Sequence, residues 1–462
     1  MNAVSWPDRR RSVLFLVESL LLLGAVLTVG ALRSQLEEAR FDLSLLLPKA
    51  FAAVLALQFS LYYGELYDDR ALRSRTEFFL RLAQSFVIAT LILAVVYYVF
   101  PGARIGPLTL LLALPLCALA IVAWHSLHRW AGDRETLSDN VLIVGTGHTA
   151  QQIALEMLSR GPLGYHVVGF LGEHEAEVGR RLVNPSVVGT TADLLPLVEA
   201  LKVSLIVVAL EDRRGRLPVD DLLQCRLAGI KVEDAPGFFE RLTGKILVTD
   251  LRPSWLVFSP GFSKPRLLRS TKRALELVVA ATALVVLAPL LGLLLLLVRL
   301  DSPGPGLFRQ RRVGLRGRVF DLYKLRTMRT DAEAATGPVW AATGDDPRVT
   351  RLGRVLRKLR LDELPQIINV ARGEMSFVGP RPERPHFVEK LRQVIPYYDQ
   401  RHTVRPGITG WAQVKFGYGS TIEDSERKLQ FDLYYVKNMS LFLDLAIVLD
   451  TFKVMVLGRG AR

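Results

Sequence analysis

Two adjacent carboxylates, Asp362 and Glu363, stand in the run Leu361-Asp362-Glu363-Leu364-Pro365-Gln366-Ile367-Ile368-Asn369-Val370, at the start of a helix-like segment. The arm before them is basic: Arg348, Arg351, Arg354, Arg357, Lys358 and Arg360. A carboxylate at a helix N-terminus with cations around it stays ionised. That suits it to bind a metal ion or to attack phosphorus. The same residues also read as an ordinary helix start, with Asp362 as the N-cap and Pro365 in the first turn. The two readings are compatible, because such a cap points the helix dipole at any anion bound there. A second place where type and spacing suggest chemistry is Val141-Leu142-Ile143-Val144-Gly145-Thr146-Gly147-His148-Thr149-Ala150. It reads as strand, tight turn and helix start, and Gly145-x-Gly147-x-x-Ala150 fits a dinucleotide loop. Glu173 follows the next strand, where a ribose-binding acid would sit. The same glycines serve any strand-to-helix turn of a doubly wound sheet, and His148 reads as a helix-start residue rather than a catalytic one.

The elements that must hold these residues belong to an unusual composition. The chain has 462 residues, of which 50% are hydrophobic, yet it carries a net charge of +14. Its length predicts three domains or fewer. The charge suggests an anionic partner, either nucleic acid or a phospholipid surface. Cys117 lies in an apolar run and Cys225 in an expected cytosolic domain, so neither a disulfide nor a metal site is indicated. The apolar run from Val13 is too long for a cleavable signal and lacks a small-residue cleavage site.

Val13–Leu32, Leu45–Tyr62, Ser85–Phe100 and Leu108–Trp124 are apolar runs near the ~20 residues that cross a bilayer. Arg9, Arg10 and Arg11 precede the first. Arg70, Arg73, Arg75 and Arg81 separate the second from the third, and Arg129 and Arg134 follow the fourth. The alternate loops are poorer, with Arg33 and Arg40 diluted by Glu37 and Glu38, then Arg104 alone. Both ends of this four-helix bundle therefore face the cytoplasm. The runs lack a polar face, which argues against a core of soluble helices. Asn140–Pro253 follows as a soluble α/β segment with strands at Tyr165–Leu171 and Ser204–Leu210.

Another apolar run, Leu275–Val298, follows Lys272 and Arg273 and is long enough to span. A full crossing would export Arg299, Arg309, Arg311, Arg312, Arg316, Arg318, Lys324, Arg326 and Arg329, against the charge rule. Pro289 sits mid-run, where it removes a backbone hydrogen bond. The expectation is a helix–break–helix that dips into the cytoplasmic leaflet and returns, with the cations at its ends among the lipid phosphates. Asp301-Ser302-Pro303-Gly304-Pro305-Gly306 then forms a rigid turn.

Phe308–Gly314, Phe320–Met328, the acid pair, Phe377–Glu383, Arg405–Trp411 and Phe431–Asn438 complete the pattern. At these residues the chain resembles the bacterial sugar transferase family, the monotopic phosphoglycosyl transferases. It looks like the large form, and the likeness covers about Lys264–Arg462. Asp250–Ser259 is similar to the branch associated with exosortase-linked exopolysaccharide systems. The resemblance implies transfer of a sugar-1-phosphate from a UDP-sugar to undecaprenyl phosphate, with release of UMP. Carried over, Asp362 is the nucleophile that forms an aspartyl-phosphosugar, and Glu363 is its acidic partner, the pair lying at Mg²⁺. Arg381 and Pro382 belong to the motif near the nucleotide and phosphates, Lys324 and Arg326 match the basic stretch facing the site, and Asp432 matches a further family acid. One departure is Ala288 before Pro289, where the family often has Ser, so the detailed kink geometry is not carried over. A homodimer is compatible with the family.

The expected protein is thus a multi-pass membrane protein, α plus α/β. It has a transmembrane four-helix bundle (1–135), a Rossmann-like domain (136–255) and a mainly α-helical catalytic domain (256–462) with a re-entrant helix at about 271–300. It is expected in the bacterial inner membrane, catalytic domain on the cytoplasmic face. Phosphoryl transfer needs charge neutralisation and in-line positioning more than acid–base power, which the cations around the acid pair supply. Two alternatives stand beside this reading. One is a membrane-bound nucleotide-sugar dehydratase using NAD at the Gly145 loop, although no Tyr-x-x-x-Lys pair follows that loop. The other is a non-catalytic scaffold of a polysaccharide assembly, with the acid pair merely capping. Nucleic acid is not an expected partner, since the charge clusters beside apolar segments.

Overall fold

Four apolar helices lead the chain: α1 (Trp6–Leu36), α2 (Leu43–Tyr63), α3 (Arg75–Val99) and α4 (Pro107–Gly132). The computed structural model describes residues 6–36, 42–63, 66, 75–132, 139–160, 165–212, 216–248, 251, 253–329, 348–416, 419 and 421–456. Of the residues used above to orient the helices, Glu37, Glu38, Arg40, Arg70, Arg73 and Arg134 lie outside that set, as do Asp250 and Arg252. Small residues (Ala25, Ala50, Ala53, Ala89 and Ala113) line the shared core of these helices with Leu22, Leu57, Phe78 and Ile121. Small side chains let apolar helices approach closely where water supplies no drive to associate. Glu18 of α1 and His125 of α4 face each other at 2.7 Å, both almost fully buried.

The α/β segment follows in the order β1 (Asp139–Val144), α5 (His148–Arg160), β2 (Tyr165–Gly172), β3 (Val187–Thr190), α6 (Leu194–Ala200), β4 (Leu205–Val208), α7 (Val219–Leu227), β5 (Lys231–Asp234) and α8 (Ala235–Thr243). Its strands are parallel throughout and ordered β3-β2-β1-β4-β5, with Val144 opposite Leu171 on one side and Val208 on the other. Helices cover both faces, so β1 and β4 are buried almost end to end and read as continuous apolar runs. The chain is therefore helical, with apolar N-terminal helices and a parallel-sheet α/β domain of Rossmann-like order. These elements form one unit, Met1–Thr243, and Gly244–Arg462 forms another.

The second unit begins earlier than the boundary expected after residue 255. Ile246, Val248 and Leu251 pack with Phe387, Leu391, Leu429 and Leu433, and the Ile246 amide donates to the Gln430 carbonyl at 3.1 Å. After α9 (Pro253–Phe258) comes α10 (Arg266–Asp301), a helix of 36 residues. The interruption expected at Pro289 is not seen as a break: helix continues through it. One stripe of α10 packs along the rest of the unit. Ala280, Ala283, Leu284 and Leu287 meet Leu322, Ile367 and Val370. Leu294 and Val298 meet Leu325 and Leu356. Its other side is apolar and exposed, Val285 by 77% and Val286 by 68%. Among the described residues five helices, α1 to α4 and α10, contain stretches long and apolar enough to cross a membrane.

Beyond α10 lie the antiparallel hairpin β6 (Leu307–Val313) and β7 (Val319–Leu325), then α11 (Arg351–Lys358) and α12 (Gln366–Arg372). The short parallel pair β8 (Ser376–Val378) and β9 (Gly407–Thr409) brackets α13 (Pro385–Val394). Helices α14 (Trp411–Lys415), α15 (Ile422–Asn438) and α16 (Leu441–Val456) close the unit.

Candidate active site

Asp362 and Glu363 occupy a single 3₁₀ turn, Leu361–Glu363, entered through Arg360 in the left-handed region at φ 56°. The chain reverses there and runs through Pro365 into α12. The Asp362 side chain makes no capping hydrogen bond, so the simple N-cap reading does not hold. Asp362 is buried, 8% exposed, and among the described residues its carboxylate has neither a hydrogen bond nor an ion pair. Glu363 differs. Its Oε1 pairs with Lys324 Nζ at 3.0 Å and with Arg381 Nη2 at 3.6 Å.

Each partner is held by a separate device. Lys324 projects from β7, and β7 is locked to α12 by Asn369, which is fully buried. Asn369 Oδ1 accepts from the Tyr323 amide at 3.1 Å, and its Nδ2 donates to the Asp321 carbonyl at 2.7 Å and to Glu374 Oε2 at 2.7 Å. A side-chain amide fully satisfied in this way fixes the strand against the helix that follows the acid pair. Arg381 sits in the loop after β8. The loop crosses β9 so closely that a Cβ on Gly407 would lie 2.1 Å from the Gly379 nitrogen, which only glycine allows. Three donors pin it: Arg401 Nη2 to the Arg381 carbonyl at 2.9 Å, Arg312 Nη1 to the Pro382 carbonyl at 2.9 Å, and the Val313 amide to the Glu383 carbonyl at 2.9 Å. Arg312, Lys324, Gln366, Arg381 and Pro382 line a small cleft there.

The electrostatics separate the two acids. Burial alone would push the Glu363 carboxyl up, but Lys324 and Arg381 overcome it and hold it at about 2. For Asp362 burial wins: its carboxyl is raised above the ordinary range, with Lys324, Arg357 and Arg381 pulling the other way and Glu363 adding to the rise. The surrounding cations were expected to dominate both; they dominate only the acid they touch.

Two expected site residues are turned to other work. The Arg326 guanidinium is buried against the end of α10 and donates to the carbonyls of Val298 (3.3 Å), Ser302 (2.6 Å) and Pro303 (2.9 Å). It satisfies the orphan carbonyls of a helix C-terminus and does not reach the acid pair. Asp432, 2% exposed, pairs with Arg401 at 2.7 Å, and Arg401 also bonds Tyr398 at 2.7 Å. Asp432 therefore acts on the site through Arg401, which holds the Arg381 loop. Arg312, Asn369 and Arg401 were not singled out as site residues; the Asn369 contacts span 46 and 48 residues of sequence, and no local pattern announces them.

The Gly145 loop has its own anion. Gly145 takes φ 121°, and a Cβ there would lie 2.7 Å from the Ala209 carbonyl oxygen. The tight turn is thus real. The His148 amide, however, donates to Glu211 Oε1 at 3.2 Å, Thr146 Oγ1 donates to Glu177 Oε2 at 3.0 Å, and Glu173 is ion-paired with Arg216. Gly147, too, is crowded by the Glu211 carboxylate, and Ala150 is buried in the core. Carboxylates of the domain itself occupy the end of the loop where a pyrophosphate would bind.

Among the described residues no cluster of three or more His, Cys, Asp and Glu side chains is arranged to hold a metal. The donors available at the acid pair are hard oxygens: the unpaired Asp362 carboxylate, and Glu363, whose ion pairs both fall on Oε1. Mg²⁺ needs only one or two carboxylates when substrate phosphates and water complete its shell, so this donor set fits it.

Residues 267–458 match the family model for bacterial sugar transferases. An exopolysaccharide production protein, PSS, of Rhizobium leguminosarum bv. phaseoli is 42% identical over 197 residues, 41% of this chain and 96% of that protein. A UDP-glucose:undecaprenyl-phosphate glucose-1-phosphate transferase of Caulobacter vibrioides is 45% identical over 207 residues, 44% of this chain and 77% of that one. The chain belongs to the bacterial sugar transferase family. Lys324, Asp362, Glu363 and Arg381 all fall in the matched stretch. A UDP-N-acetylgalactosamine-undecaprenyl-phosphate N-acetylgalactosaminephosphotransferase of Aeromonas hydrophila is 43% identical over 242 residues, 52% of this chain. That match spans 56% of the Aeromonas protein, so the chain covers about half of that relative's length. Residues 64–223 match a second model, a CoA-binding domain.

Proposed function

We propose that this sugar transferase moves a sugar-1-phosphate from a UDP-sugar to undecaprenyl phosphate through a covalent aspartyl-phosphosugar, with release of UMP. The observation that carries the reading is the unequal treatment of two neighbouring acids. Glu363 is bound as a counter-ion by Lys324 and Arg381, while the buried Asp362 beside it has no partner among the described residues. A carboxylate stripped of water and of hydrogen bonds is a stronger nucleophile than one held in ion pairs.

In the first step an Asp362 oxygen bonds to the sugar-bearing phosphorus of the donor. The phosphoanhydride bond to UMP breaks, and UMP leaves with the electron pair. In the second step a phosphate oxygen of undecaprenyl phosphate bonds to the same phosphorus, and the bond to Asp362 breaks, restoring the carboxylate. One phosphoanhydride replaces another, so no energy-coupling cofactor enters. Lys324 and Arg381 neutralise the diphosphate and steady the charge moving onto UMP. Mg²⁺, held by Asp362 and Glu363 together with the donor's phosphates, would add further charge neutralisation.

The acceptor is a lipid, so the site must meet the bilayer. We take α1 to α4 as a transmembrane bundle and α10 as a re-entrant helix that turns by a kink at Pro289 within the continuous helix, with the catalytic unit on the cytoplasmic face of the inner membrane. Support comes from both ends of α10 bonding to one unit. Arg273 donates to the carbonyls of Val370 and Ala371 at 2.7 and 3.0 Å, and the last turn receives Arg326. A spanning helix would carry its two ends to opposite faces of the bilayer.

The test is Asp362→Asn, which keeps shape and removes charge. With detergent-solubilised full chain, undecaprenyl phosphate and Mg²⁺, UMP release across a panel of UDP-sugars should fall by about 10⁴-fold or more. Sugar-labelled donor without acceptor should mark the native chain and leave the variant unmarked. A variant that keeps most of its UMP release excludes Asp362 as the nucleophile.

A further inference from the structure

A cavity of about 450 Å³ opens between the first turns of α10 and the tip of the β6–β7 hairpin, and it shares no lining residue with the cleft at Lys324 and Arg381. Six cations line it, Arg266, Arg269, Lys272, Arg273, Arg316 and Arg405, against one acid, Glu276. Half of these cations are engaged in the fold. Lys272 pairs with Asp444 at 2.5 Å, Arg273 binds the end of α12, and Arg405 Nε donates to the Gly373 carbonyl at 2.9 Å. Glu276 is engaged as well, accepting from Ser376 and lying 3.4 Å from Lys272. The guanidiniums of Arg266, Arg269 and Arg316 are different: they are exposed, and among the described residues they have no hydrogen bond or ion pair.

Three unpaired guanidiniums around one concave space make a positive potential that an anion would relieve. The space also borders apolar surface. On α10, Leu267 is 78% exposed, Leu275 51%, Val278 65% and Val279 52%. A cationic hollow at the foot of an exposed apolar helix is complementary to a molecule with an anionic head and hydrocarbon tails. A free anion would use the hollow and leave the apolar surface bare.

We propose that this cavity seats the phosphate headgroup of an anionic phospholipid, whose acyl chains lie along the exposed side of α10. The bound lipid is not a reactant. It ties the base of α10 to the bilayer surface and sets the depth at which the catalytic unit rides. The inference stands apart from the transferase reading, since none of its residues touches the acid pair.

The experiment titrates the detergent-solubilised full chain with short-chain phosphatidylglycerol, short-chain phosphatidylcholine or inorganic phosphate, followed calorimetrically. Phosphatidylglycerol should bind saturably and phosphatidylcholine should not. Arg269→Gln and Arg316→Gln should each weaken phosphatidylglycerol binding about fivefold, and together about thirtyfold. The thermal midpoint should not move, because neither guanidinium is engaged in the fold. Equal binding of the two lipids, or an unchanged phosphatidylglycerol affinity in the double variant, overturns the proposal. Inorganic phosphate binding as tightly as phosphatidylglycerol overturns the lipid as occupant and makes the hollow a free-phosphate site.

Discussion

Replacing Glu363 by Gln tests the acid pair at its most sensitive point, because it leaves Asp362, the proposed nucleophile, in place and removes its neighbour's charge together with one of the two proposed Mg²⁺ ligands. Lys324 and Arg381 hold the Glu363 carboxyl at about 2 against its ordinary 4.5, which corresponds to about 3 kcal/mol in favour of the charged form. Breaking a buried ion pair by removing one partner costs about 3–5 kcal/mol, a similar size. That contribution is fully present above pH 4.5 and is lost as the pH falls toward 2. Thermal midpoints of the native chain and Glu363→Gln should therefore differ near neutrality and converge across that window. The effect on activity has a definite sign. Asp362 is raised by burial, and the Glu363 charge raises it further, while Lys324, Arg357 and Arg381 oppose. Without Glu363 the cations turn to Asp362, so its carboxyl falls. Turnover should drop, because Asp362 is now held as a counter-ion, and the acid limb of the pH–rate profile should move to lower pH. UMP release from a UDP-sugar, measured across the acid range, reads both. A variant with native turnover whose acid limb is unmoved or shifted upward would refute the division of roles between the two acids.

Arg401→Met or Asp432→Asn should each destabilise the catalytic unit by about 3–5 kcal/mol, and Arg401→Met combined with Asp432→Leu should recover much of that loss while turnover stays low, since the Arg381 carbonyl still lacks its donor; thermal midpoints and UMP release distinguish the two effects. Single cysteines at Thr271 and Asp301, which flank the apolar part of α10, should both react with an impermeant thiol reagent from the cytoplasmic side in inside-out vesicles. Labelling from opposite sides would establish a spanning helix. Glu211→Ala should remove the carboxylate from the His148 amide and weaken the start of α5 by about 1 kcal/mol, while calorimetry of the native full chain with NAD or CoA should show no tight site at the Gly145 loop.

What the sequence disclosed, and what it hid, follows from the range of the forces involved. Strand–turn–helix at Gly145 was legible because a tight turn with φ 121° is a local demand that glycine meets. The closure of that loop by Glu211 was not, since the two lie 63 residues apart and any acid at a strand end looks alike in sequence. Lys324, Glu363 and Arg381 could be grouped through the family pattern, and the fold does bring them together. Arg326, two residues after Lys324, went wrong because the strand ends at Leu325 and the chain there turns under α10. Pro289 predicted a break from the missing amide, yet the helix runs on through it, its packed stripe extending along both halves. The opposite shifts of Asp362 and Glu363 depend on which acid lies within reach of two cations, which neighbouring positions in a sequence cannot convey.

Every side chain found to steady the acid pair, from Asn369 and Arg312 to Arg401, comes from Gly244–Arg462, and so does α10. That stretch holds both the proposed chemistry and the long apolar helix α10. The Rhizobium relative, almost wholly covered by a 197-residue match, consists of little else. A chain reduced to this stretch would keep every contact described here that positions the acid pair, whatever precedes it.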